Sequence, residues 1–504
     1  MGMERLTGLD GAFAALDSPT GHLHILGVLV FDPCEVGDGP DFDRVRDLVA
    51  GRVALVPPFR KRMVEVPFGL QHPTMVDDPD FDIDYHVRRV SVPQPGGLAE
   101  LADLAADLAS RPLDRRRPLW EFHVVEGLEH GRLALIPKVH HSIIDGVSAA
   151  EVLAAFFDLS PEPVPQPLFS RRSGIRTRTG ATDAQPPPDL GDPSWAPPPL
   201  PGEWQRWRDV LRSLPGTADA VVRTVSRTVQ TARSMNGRTR ETAGTLSPAP
   251  FEAPRTSINR AISPRRRVAF ARLPLDQVGR VRSVLGGTAN DVVLAATSGA
   301  LRTFFAGRGE VPDGPLVAMV PVSVRADQER GTLGNRVSAL LVSLASDVDD
   351  AEGRLGAIRD GVRSAKDQMH SVDPGLFAGW AQAMVPALAT RLTRLTTNVR
   401  LFDHVAPIFN VIVSNVPGPE FPLYLAGSRM VAMYPLGPII EGAGVNITVF
   451  SYLGTMYVGV QGCWDLVPDL EAIASGMEES LAEMVDAADR RDRPIPWWHS
   501  ELPA

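Results

Sequence analysis

Two adjacent histidines, His140 and His141, follow an apolar run in the segment IPKVHHSIIDGVSAAEVL, residues 136–153. Asp145 and Gly146 complete the pattern H-H-x-x-x-D-G. Imidazole is the side chain whose charge changes nearest neutral pH, and a neutral imidazole held in a fixed orientation can take a proton from a hydroxyl group. The pattern therefore predicts general-base chemistry where a strand becomes a loop.

The rest of the sequence offers no nucleophile for a covalent acyl-enzyme. No G-x-S-x-G segment is present, and neither Cys34 nor Cys463 stands in a pattern typical of a catalytic cysteine. A zinc site is also disfavoured, because adjacent histidines lack the i, i+4 spacing of H-E-x-x-H and no third ligand stands nearby. We expect no metal and a direct transfer to a bound acceptor that brings its own hydroxyl group.

The composition restricts the class of protein and its compartment. A net charge of −9 argues against a nucleic-acid partner, because neutralising phosphates requires a basic face. Only two cysteines occur, and they stand far apart in the chain, which argues against a disulfide scaffold and a thiolate-rich metal site and favours a reducing cytoplasm. No run reaches roughly 18 apolar residues, so any membrane contact should be peripheral. We expect a cytoplasmic protein at the inner membrane face or on lipid bodies.

These histidines must be positioned by a larger framework, and the pattern of the chain predicts an α/β fold. Residues 161–203 are rich in proline, and burial of so few aliphatic side chains cannot offset the entropy of ordering them, so they form a linker. Strand patterns occur on both sides of it, in HILGVLVFDP and RLALIPKV before it and in RVAFARLPL, LVAMVPVSV, RVSALLVSL, FNVIVSNV, GVNITVFSYL and TMYVGVQGC after it. Helical periodicity likewise occurs before it, in GGLAELADLAADLASRPL, and after it, in TANDVVLAATSGALRTFF and DLEAIASGMEESLAEMVDAA. We therefore expect an N-terminal half at 1–160, which carries the histidines, and a C-terminal half at 255–504.

A basic segment joins the linker to the second half. Residues 204–240 carry a net charge of +6 in a chain whose total is −9, and their tryptophan and valine residues recur at helical spacing. We interpret residues 204–254 as a basic amphipathic helical connector. Such a helix suits an anionic membrane or a lipid-body surface. A helical hairpin that packs on its own domain, with its arginines in solvent, is an equally good interpretation.

Several stretches in both halves resemble one family of acyltransferases. They are PPFRKRMVEVPFGLQHPTMVDDPDFDIDYHVRRVSVPQPGG, RPLDRRRPLWEFHVVEGL, GTANDVVLAATSGALR, VAMVPVSVR and VIVSNVPGPEFPLYLAG, together with the H-H-x-x-x-D-G pattern. The sequence resembles the bacterial wax ester synthase/acyl-CoA:diacylglycerol acyltransferase family, within the CoA-dependent acyltransferases. The resemblance implies two chloramphenicol-acetyltransferase-like halves, each with a mixed sheet flanked by helices, and an active site at their interface.

The resemblance also implies roles for the residues of the histidine pattern. His141 is expected to take the proton of the acceptor hydroxyl while that oxygen attacks the acyl-CoA thioester. His140 is expected to shape the site, Asp145 to hold the loop, and Gly146 to let the backbone turn. Pro118, Leu119 and Trp120, which precede the histidines, are better explained by core packing.

Two further groups come from the second half. Asn290 and Asp291 begin a helix, where N-capping is the simple interpretation, and the resemblance adds that they brace the histidine loop. The stretch SNVPGP predicts a strand that ends in a rigid turn, and the resemblance places it at the border of the acyl or CoA channel. Its four candidate binding residues are Ser414, Asn415, Pro417 and Gly418.

The function expected from these features is esterification of a hydrophobic alcohol by acyl-CoA, which is a co-substrate rather than a cofactor. Diacylglycerol is the expected acceptor, with long-chain alcohols as further acceptors. Two alternatives stay open: transfer to a specialised lipid or a carrier-bound acceptor, and a catalytically silent protein that coats lipid bodies. The intact histidine pattern separates them, because a pure coat protein need not retain it.

Overall fold

A computed structural model describes residues 4–6, 8–33, 41–66, 72–144, 149–162, 248, 252–323, 337–370, 403 and 406–492. The strands are β1 Glu4–Arg5, β2 His24–Phe31, β3 Lys61–Val64, β4 Thr74–Asp77, β5 Val87–Ser91, β6 Trp120–Glu126, β7 Leu133–His140, β8 Arg266–Pro274, β9 Val317–Ser323, β10 Val337–Ser343, β11 Val411–Val416, β12 Tyr424–Leu425, β13 Ser428–Leu436, β14 Val445–Tyr452 and β15 Thr455–Cys463. The helices are α1 Gly8–Leu16, α2 Phe42–Arg52, α3 Ile83–His86, α4 Leu98–Ser110, α5 His141–Ile144, α6 Ala149–Phe156, α7 Leu275–Leu285, α8 Ala289–Gly307, α9 Ala351–His370 and α10 Glu471–Arg491. This is the expected α/β class.

The first large sheet carries the histidine pair. Its six strands run in the order β12-β13-β2-β7-β6-β5, and all neighbours are antiparallel except β5 and β6. The apolar runs of β2 and β7 are almost wholly buried, as continuous Val, Leu and Ile runs require when both faces of a strand are covered. These two strands pair so that His24 lies opposite His140.

The second large sheet belongs wholly to the C-terminal half. Its order is β10-β9-β11-β14-β15-β8, in which β11 pairs in parallel with both β9 and β14. Helices α8 and α10 pack together against it, through side chains that recur at helical spacing. The strands and helices predicted from the second half are therefore confirmed as elements of one mixed sheet and its covering layer.

Strand β13, with the short β12 at its outer edge, crosses from the second half into the first sheet. β13 pairs with β2 along six residue pairs, although its sequence lies nearly 300 residues after β7. Its other contacts tie it back to the second sheet: the Arg272 Nε–H donates to Tyr434 Oη at 2.6 Å, and the Tyr457 hydroxyl donates to Val431 O at 2.6 Å. The expected boundary at residue 255 separates the chain in sequence, but the first sheet is completed by residues 424–436.

Some expectations concern residues outside the described ranges. They include Asp145 and Gly146 in the histidine pattern, the linker from residue 163 onward, and the basic segment 204–240. These remain sequence predictions. Among the described residues, no helix combines the length and the apolar character needed to span a bilayer.

Candidate active site

The histidine pair lies at the junction between β7 and α5. The β7 strand ends at His140, and His141 is the first residue of the short helix. The His140 backbone N–H donates to Leu119 O at 3.0 Å, while the His141 backbone N–H donates to Leu23 O at 2.8 Å. The two backbones are thus tied to different parts of the first half, one to the segment before β6 and one to the segment before β2.

His140 is held in one tautomer by Ser142. The backbone N–H of Ser142 donates to His140 Nδ1 at 3.1 Å, and the hydroxyl of Ser142 lies 2.7 Å from the same nitrogen. A nitrogen that accepts from an amide N–H carries no hydrogen of its own, so the ring proton of neutral His140 sits on Nε2. That nitrogen faces Asp17 Oδ2 at 3.7 Å, which is longer than a hydrogen bond.

Burial keeps the ring of His140 neutral. The side chain is almost fully buried, and this burial lowers the pKa of His140, although the Asp17 carboxylate partly opposes the effect. Burial by itself would raise the pKa of Asp17, but contacts with His140, Arg115 and the Leu23 N–H lower it overall. An ionised carboxylate therefore faces the protonated nitrogen of a neutral imidazole.

His141 has a different environment. Its side chain is half-buried, and its ring centroid lies 4.2 Å from that of Phe13 in α1, with the two rings tilted by 36°. The aromatic ring of Phe13 restricts the imidazole on one side, while the half-buried position leaves part of it accessible. Of the two adjacent histidines, His141 is the more exposed.

The segment before the histidines packs in the core, as expected. Trp120 is fully buried, its Nε1–H donates to Phe59 O at 2.8 Å, and its ring stacks on Phe59 at 4.9 Å. Leu119 is buried as well, and its carbonyl accepts from His140 as described above. This core therefore supports the end of β7.

Sequence reasoning did not identify three further polar residues at this site, namely Asp17, His22 and His24. His24 is buried opposite His140, with the ring centroids 5.6 Å apart, and burial lowers its pKa well below the usual range. The His22 ring stacks on His24 at 5.4 Å. The signal was the H-x-H spacing at the start of β2, which places both side chains on one face of a strand; only the strand pairing shows which face.

Asp17, His24 and His140 also bring three potential ligand atoms within 4.8 Å of one another. The hydrogen bond from the Ser142 N–H leaves the hydrogen of His140 on Nε2, the nitrogen that faces Asp17, so this nitrogen has no lone pair to offer a metal. The ammonium of Lys138 adds an unfavourable positive charge, which contributes to the low pKa of His24. This donor set fits a structural polar cluster better than a metal ligand set.

Asn290 and Asp291 lie in the first turn of α8. The N-cap is Thr288, and Asp291 Oδ2 accepts from the Thr288 N–H at 2.8 Å and from its hydroxyl at 2.9 Å. This reciprocal arrangement is a capping box, so one carboxylate oxygen of buried Asp291 stabilises its own helix. N-terminal capping, the simple interpretation of this pair, is confirmed for Asp291; a bracing role for either residue stays a prediction.

The SNVPGP residues form the end of β11 and the following turn. Ser414 and Asn415 are half-buried and pair with Thr448 and Val449 of β14. Pro417 is exposed, and the Gly418 N–H donates to Ser451 Oγ at 3.1 Å. A β-carbon at position 418 would overlap Ser451 O and the Phe450 ring, so the turn needs glycine for this close approach. The strand and its rigid turn are confirmed; a channel role stays a prediction.

Family models match most of the chain. The model described as the wax ester synthase/diacylglycerol acyltransferase catalytic domain matches residues 6–293. The model of the WS/DGAT C-terminal domain matches residues 333–485. Together they cover both halves and include the histidine pattern.

Curated relatives align over nearly the whole chain. A Mycobacterium tuberculosis H37Rv protein whose name reads "Putative diacyglycerol O-acyltransferase" is 36% identical over 494 residues, which cover 98% of this chain and 92% of the relative. A second protein of that strain with the same type of name is 34% identical, with 98% and 99% covered.

Solved structures agree with the observed fold. The wax ester synthase/diacylglycerol acyltransferase from Marinobacter aquaeolei VT8 superimposes with a TM-score of 0.68 at 28% identity, covering 97% of this chain and 100% of that one. The first condensation domain of the calcium-dependent antibiotic synthetase gives 0.53 at 16% identity, with 98% and 97% covered, and shares the fold.

Proposed function

The chain belongs to the wax ester synthase/diacylglycerol acyltransferase family and is an acyltransferase, and from this premise we propose that it makes triacylglycerol from diacylglycerol and acyl-CoA. Long-chain alcohols are proposed as further acceptors, which would give wax esters. The name of the Marinobacter enzyme covers both activities, and those of the mycobacterial relatives point to diacylglycerol.

In the proposed mechanism His141 is the general base. It takes the proton of the acceptor hydroxyl while the oxygen forms a bond to the thioester carbonyl carbon. The tetrahedral intermediate then collapses, the C–S bond breaks, and the proton passes from His141 to the departing CoA sulfur. The products are the ester and free CoA, with no net gain or loss of protons. Acyl-CoA is consumed as a co-substrate, and no metal or prosthetic group takes part.

The observation that carries this proposal is the unequal environment of the two histidines. His140 is buried, its Nδ1 accepts hydrogen bonds from Ser142, and its Nε2 carries the hydrogen that faces Asp17. It therefore has no lone pair for a substrate proton. His141 is half-buried, so part of its ring is accessible, and we therefore assign the role of general base to it.

The remaining candidate residues receive supporting roles in the proposal. Asp145 holds the loop after His141, and Gly146 permits its turn. Asn290 and Asp291 brace that loop from the second half, with Asp291 fixed by its capping box. Ser414 and Asn415 at the end of β11, with Pro417 and Gly418 of the following turn, are proposed to border the acyl or CoA channel.

We propose that the protein works at a lipid surface, at the inner membrane face or on lipid bodies. Its acceptors partition into lipid, so an enzyme that reaches them benefits from docking there. The basic amphipathic segment 204–240 is the proposed contact, because arginines and tryptophans at helical spacing suit anionic lipid interfaces. The protein itself is proposed to reside in the cytoplasm.

The test is a transfer assay with acyl-CoA labelled in the acyl group. It offers diacylglycerol, hexadecanol or no acceptor to the purified chain, with product separation by thin-layer chromatography. Label in triacylglycerol, and none bound to protein in intact-mass spectra, is the expected result, because direct transfer forms no acyl-enzyme. A stable acylated protein would refute direct transfer, and absence of product with every acceptor would refute the activity.

A further inference from the structure

The short loop at residues 17–23 precedes β2 and has a defined internal structure. The Ser18 N–H donates to Gly21 O at 3.0 Å, and the Gly21 N–H donates back to Ser18 Oγ at 2.8 Å. The Leu23 N–H donates to Asp17 Oδ1 at 3.2 Å, which closes the loop across its base. These three hydrogen bonds hold the loop together, so a displacement of one of its residues should affect the others.

This loop contacts both histidines of the site. Leu23 O accepts from the backbone N–H of His141 at 2.8 Å, and Asp17 Oδ2 faces His140 Nε2 at 3.7 Å. Leu23 also leads directly into His24, the cross-strand partner of His140. A shift of the loop would therefore displace the first residue of α5 and the neighbouring imidazole together.

The opposite side of the loop is held by the second half of the chain. The Thr20 hydroxyl donates to Glu441 Oε1 at 2.7 Å, and Arg266 Nη2 donates to Thr20 O at 2.5 Å. Glu441 Oε2 in turn accepts from the Ile262 N–H at 3.2 Å. The side-chain hydroxyl and the backbone carbonyl of Thr20 thus both form hydrogen bonds with residues more than 240 positions later in the sequence.

Arg266 is a firm anchor because its other donors are also engaged. It is only 3% exposed, its backbone N–H donates to Ser110 Oγ at 2.9 Å, and its Nη1 donates to Ser263 O. Burial lowers the pKa of Arg266 to about 10, which still leaves it charged at neutral pH. A buried guanidinium that binds carbonyls from both halves costs desolvation energy and offers geometric specificity in return.

We infer that Arg266 and Glu441 are positioning residues, through which the second half of the chain sets the orientation of His141 by clamping Thr20 in the 17–23 loop. The inference rests on the proposed function, in which His141 is the base. The contact between the halves then contributes to catalysis, because displacing a general base by about 1 Å can lower the reaction rate by up to roughly 10²-fold.

The matched variants separate positioning from plain structural support. Thr20→Val removes the hydroxyl at a half-buried residue, whereas Thr20→Ser restores it. Arg266→Gln removes the guanidinium, and Arg267→Gln is its control, since Arg267 is the next residue of β8 and pairs with Glu471 at 2.7 Å within the second half. Each variant is assayed for kcat, for the KM of acyl-CoA, and for thermal unfolding.

Thr20→Val and Arg266→Gln should lower kcat by about fivefold or more, with the KM of acyl-CoA nearly unchanged, because orientation of the base affects the chemical step. Thr20→Ser and Arg267→Gln should retain most of the wild-type kcat. The double variant Thr20→Val/Glu441→Ala should be no worse than the poorer of its two single variants, because each single change already removes the hydrogen bond between Thr20 and Glu441. If Arg266→Gln fails to fold, the Thr20 pair decides.

A second readout does not depend on turnover. The rate at which diethyl pyrocarbonate modifies His141, measured by peptide mass spectrometry, should rise in Thr20→Val and stay unchanged in Arg267→Gln. A wild-type kcat and an unchanged modification rate in Thr20→Val would overturn the clamp. If the wild-type protein transfers no acyl group, the proposed function fails, and the modification rates still decide whether the clamp acts on His141.

Discussion

His140 and His141 are neighbours in the chain, but the change from strand to helix between them sends their side chains into different surroundings. His140 ends a buried strand and is bound by Ser142, whereas His141 begins a helix and is half-buried beside Phe13. The same residue type thus supplies a structural ring at position 140 and, in the proposed mechanism, the reactive ring at position 141. The contacts of each histidine, rather than its residue type, therefore distinguish the two positions.

The first prediction concerns His141. His141→Ala should lower kcat at least about 10²-fold, because no other described group is placed to take the hydroxyl proton, while the Kd of acyl-CoA stays nearly unchanged. Steady-state kinetics and calorimetric titration of acyl-CoA measure the two effects. The control is His130→Asn at an exposed turn position with φ of 58°, which asparagine tolerates. More than half of the wild-type activity in His141→Ala would remove it from the mechanism.

The second prediction concerns acid stability and His86. This ring is fully buried, stacks on Trp120 at 4.4 Å, and binds Trp120 O through Nδ1 at 2.7 Å. Burial lowers the pKa of His86 to about 4 from its usual 6.5. Between these pH values His86 is therefore protonated in the unfolded chain but not in the folded chain. The free energy of unfolding should therefore fall by roughly 3 kcal/mol from pH 6.5 to 4 on account of this residue.

Urea unfolding of the wild type and of His86→Phe across that pH range provides the measurement. Phenylalanine keeps a flat ring against Trp120 and cannot bind a proton, so the variant should lose less stability as the pH falls. Equal pH slopes for the two proteins would show that His86 is not responsible.

At the residue scale the sequence predicted the local pattern and missed the distant partners. The histidine pair and the capping by Asp291 were visible because short spacings determine them. Thr20, Glu441 and Arg266 carry no such spacing, since the contacts that unite them join residues hundreds of positions apart. Such partners become visible only when the sheets are assembled.

Among the elements, β13 is the one that determines how the halves fit together. It adds to the edge of β2 in the first sheet, and its buried side chains form one cluster with Phe450, Tyr452 and Tyr457 of the second sheet. Gly459 of β15 lies so close that a β-carbon there would overlap Pro435 O of β13. The close approach of the two sheets depends on that glycine.

The third prediction concerns this approach. Gly459→Ala should lower the free energy of unfolding by about 1–3 kcal/mol, because the methyl group forces β13 and β15 apart. Gly279→Ala is the control: it lies inside α7 with no atom within 4 Å of the added carbon, and it should raise stability by about 0.5–1 kcal/mol. Urea denaturation measures both, and equal stability of the two variants would contradict the packing argument.

The elements themselves were largely predictable, whereas the partner of one strand was not. Apolar runs and helical periodicity gave β2, β7, α4 and most of the second sheet, because these patterns are local. The run SRMVAMYPL at 428–436 has no regular alternation of apolar and polar residues and was not predicted as a strand, and nothing in it specifies pairing with β2. Pairing of distant strands is decided by complementary surfaces.

For the molecule as a whole, the uneven distribution of charge suggests how it meets its substrates. The chain is acidic overall, while residues 204–240 are basic, so attraction to anionic lipid would be confined to one segment. Salt screens the attraction between charges in water, so any such binding should weaken as the salt concentration rises.

The fourth prediction tests this segment. Replacing Arg206, Arg208, Arg212, Arg223 and Arg227 by Gln should release the protein from anionic liposomes, because each arginine near the surface contributes roughly 1 kcal/mol. Turnover of a detergent-dispersed acceptor should be largely retained, since the histidine site lies elsewhere in the sequence. Co-sedimentation at low and high salt measures binding, and unchanged sedimentation of the variant would favour the packed helical hairpin.

The late addition of β13 to the first sheet has a consequence for synthesis on the ribosome. β2 and β7 have both left the ribosome once residue 140 has passed through the exit tunnel. The strand that covers the β2 edge, however, begins only at residue 428. At about 5–20 residues per second, this edge waits roughly 15–60 s for its partner. Throughout that interval the nascent chain presents an unpaired strand edge, the kind of surface through which growing polypeptides aggregate and which chaperones shield.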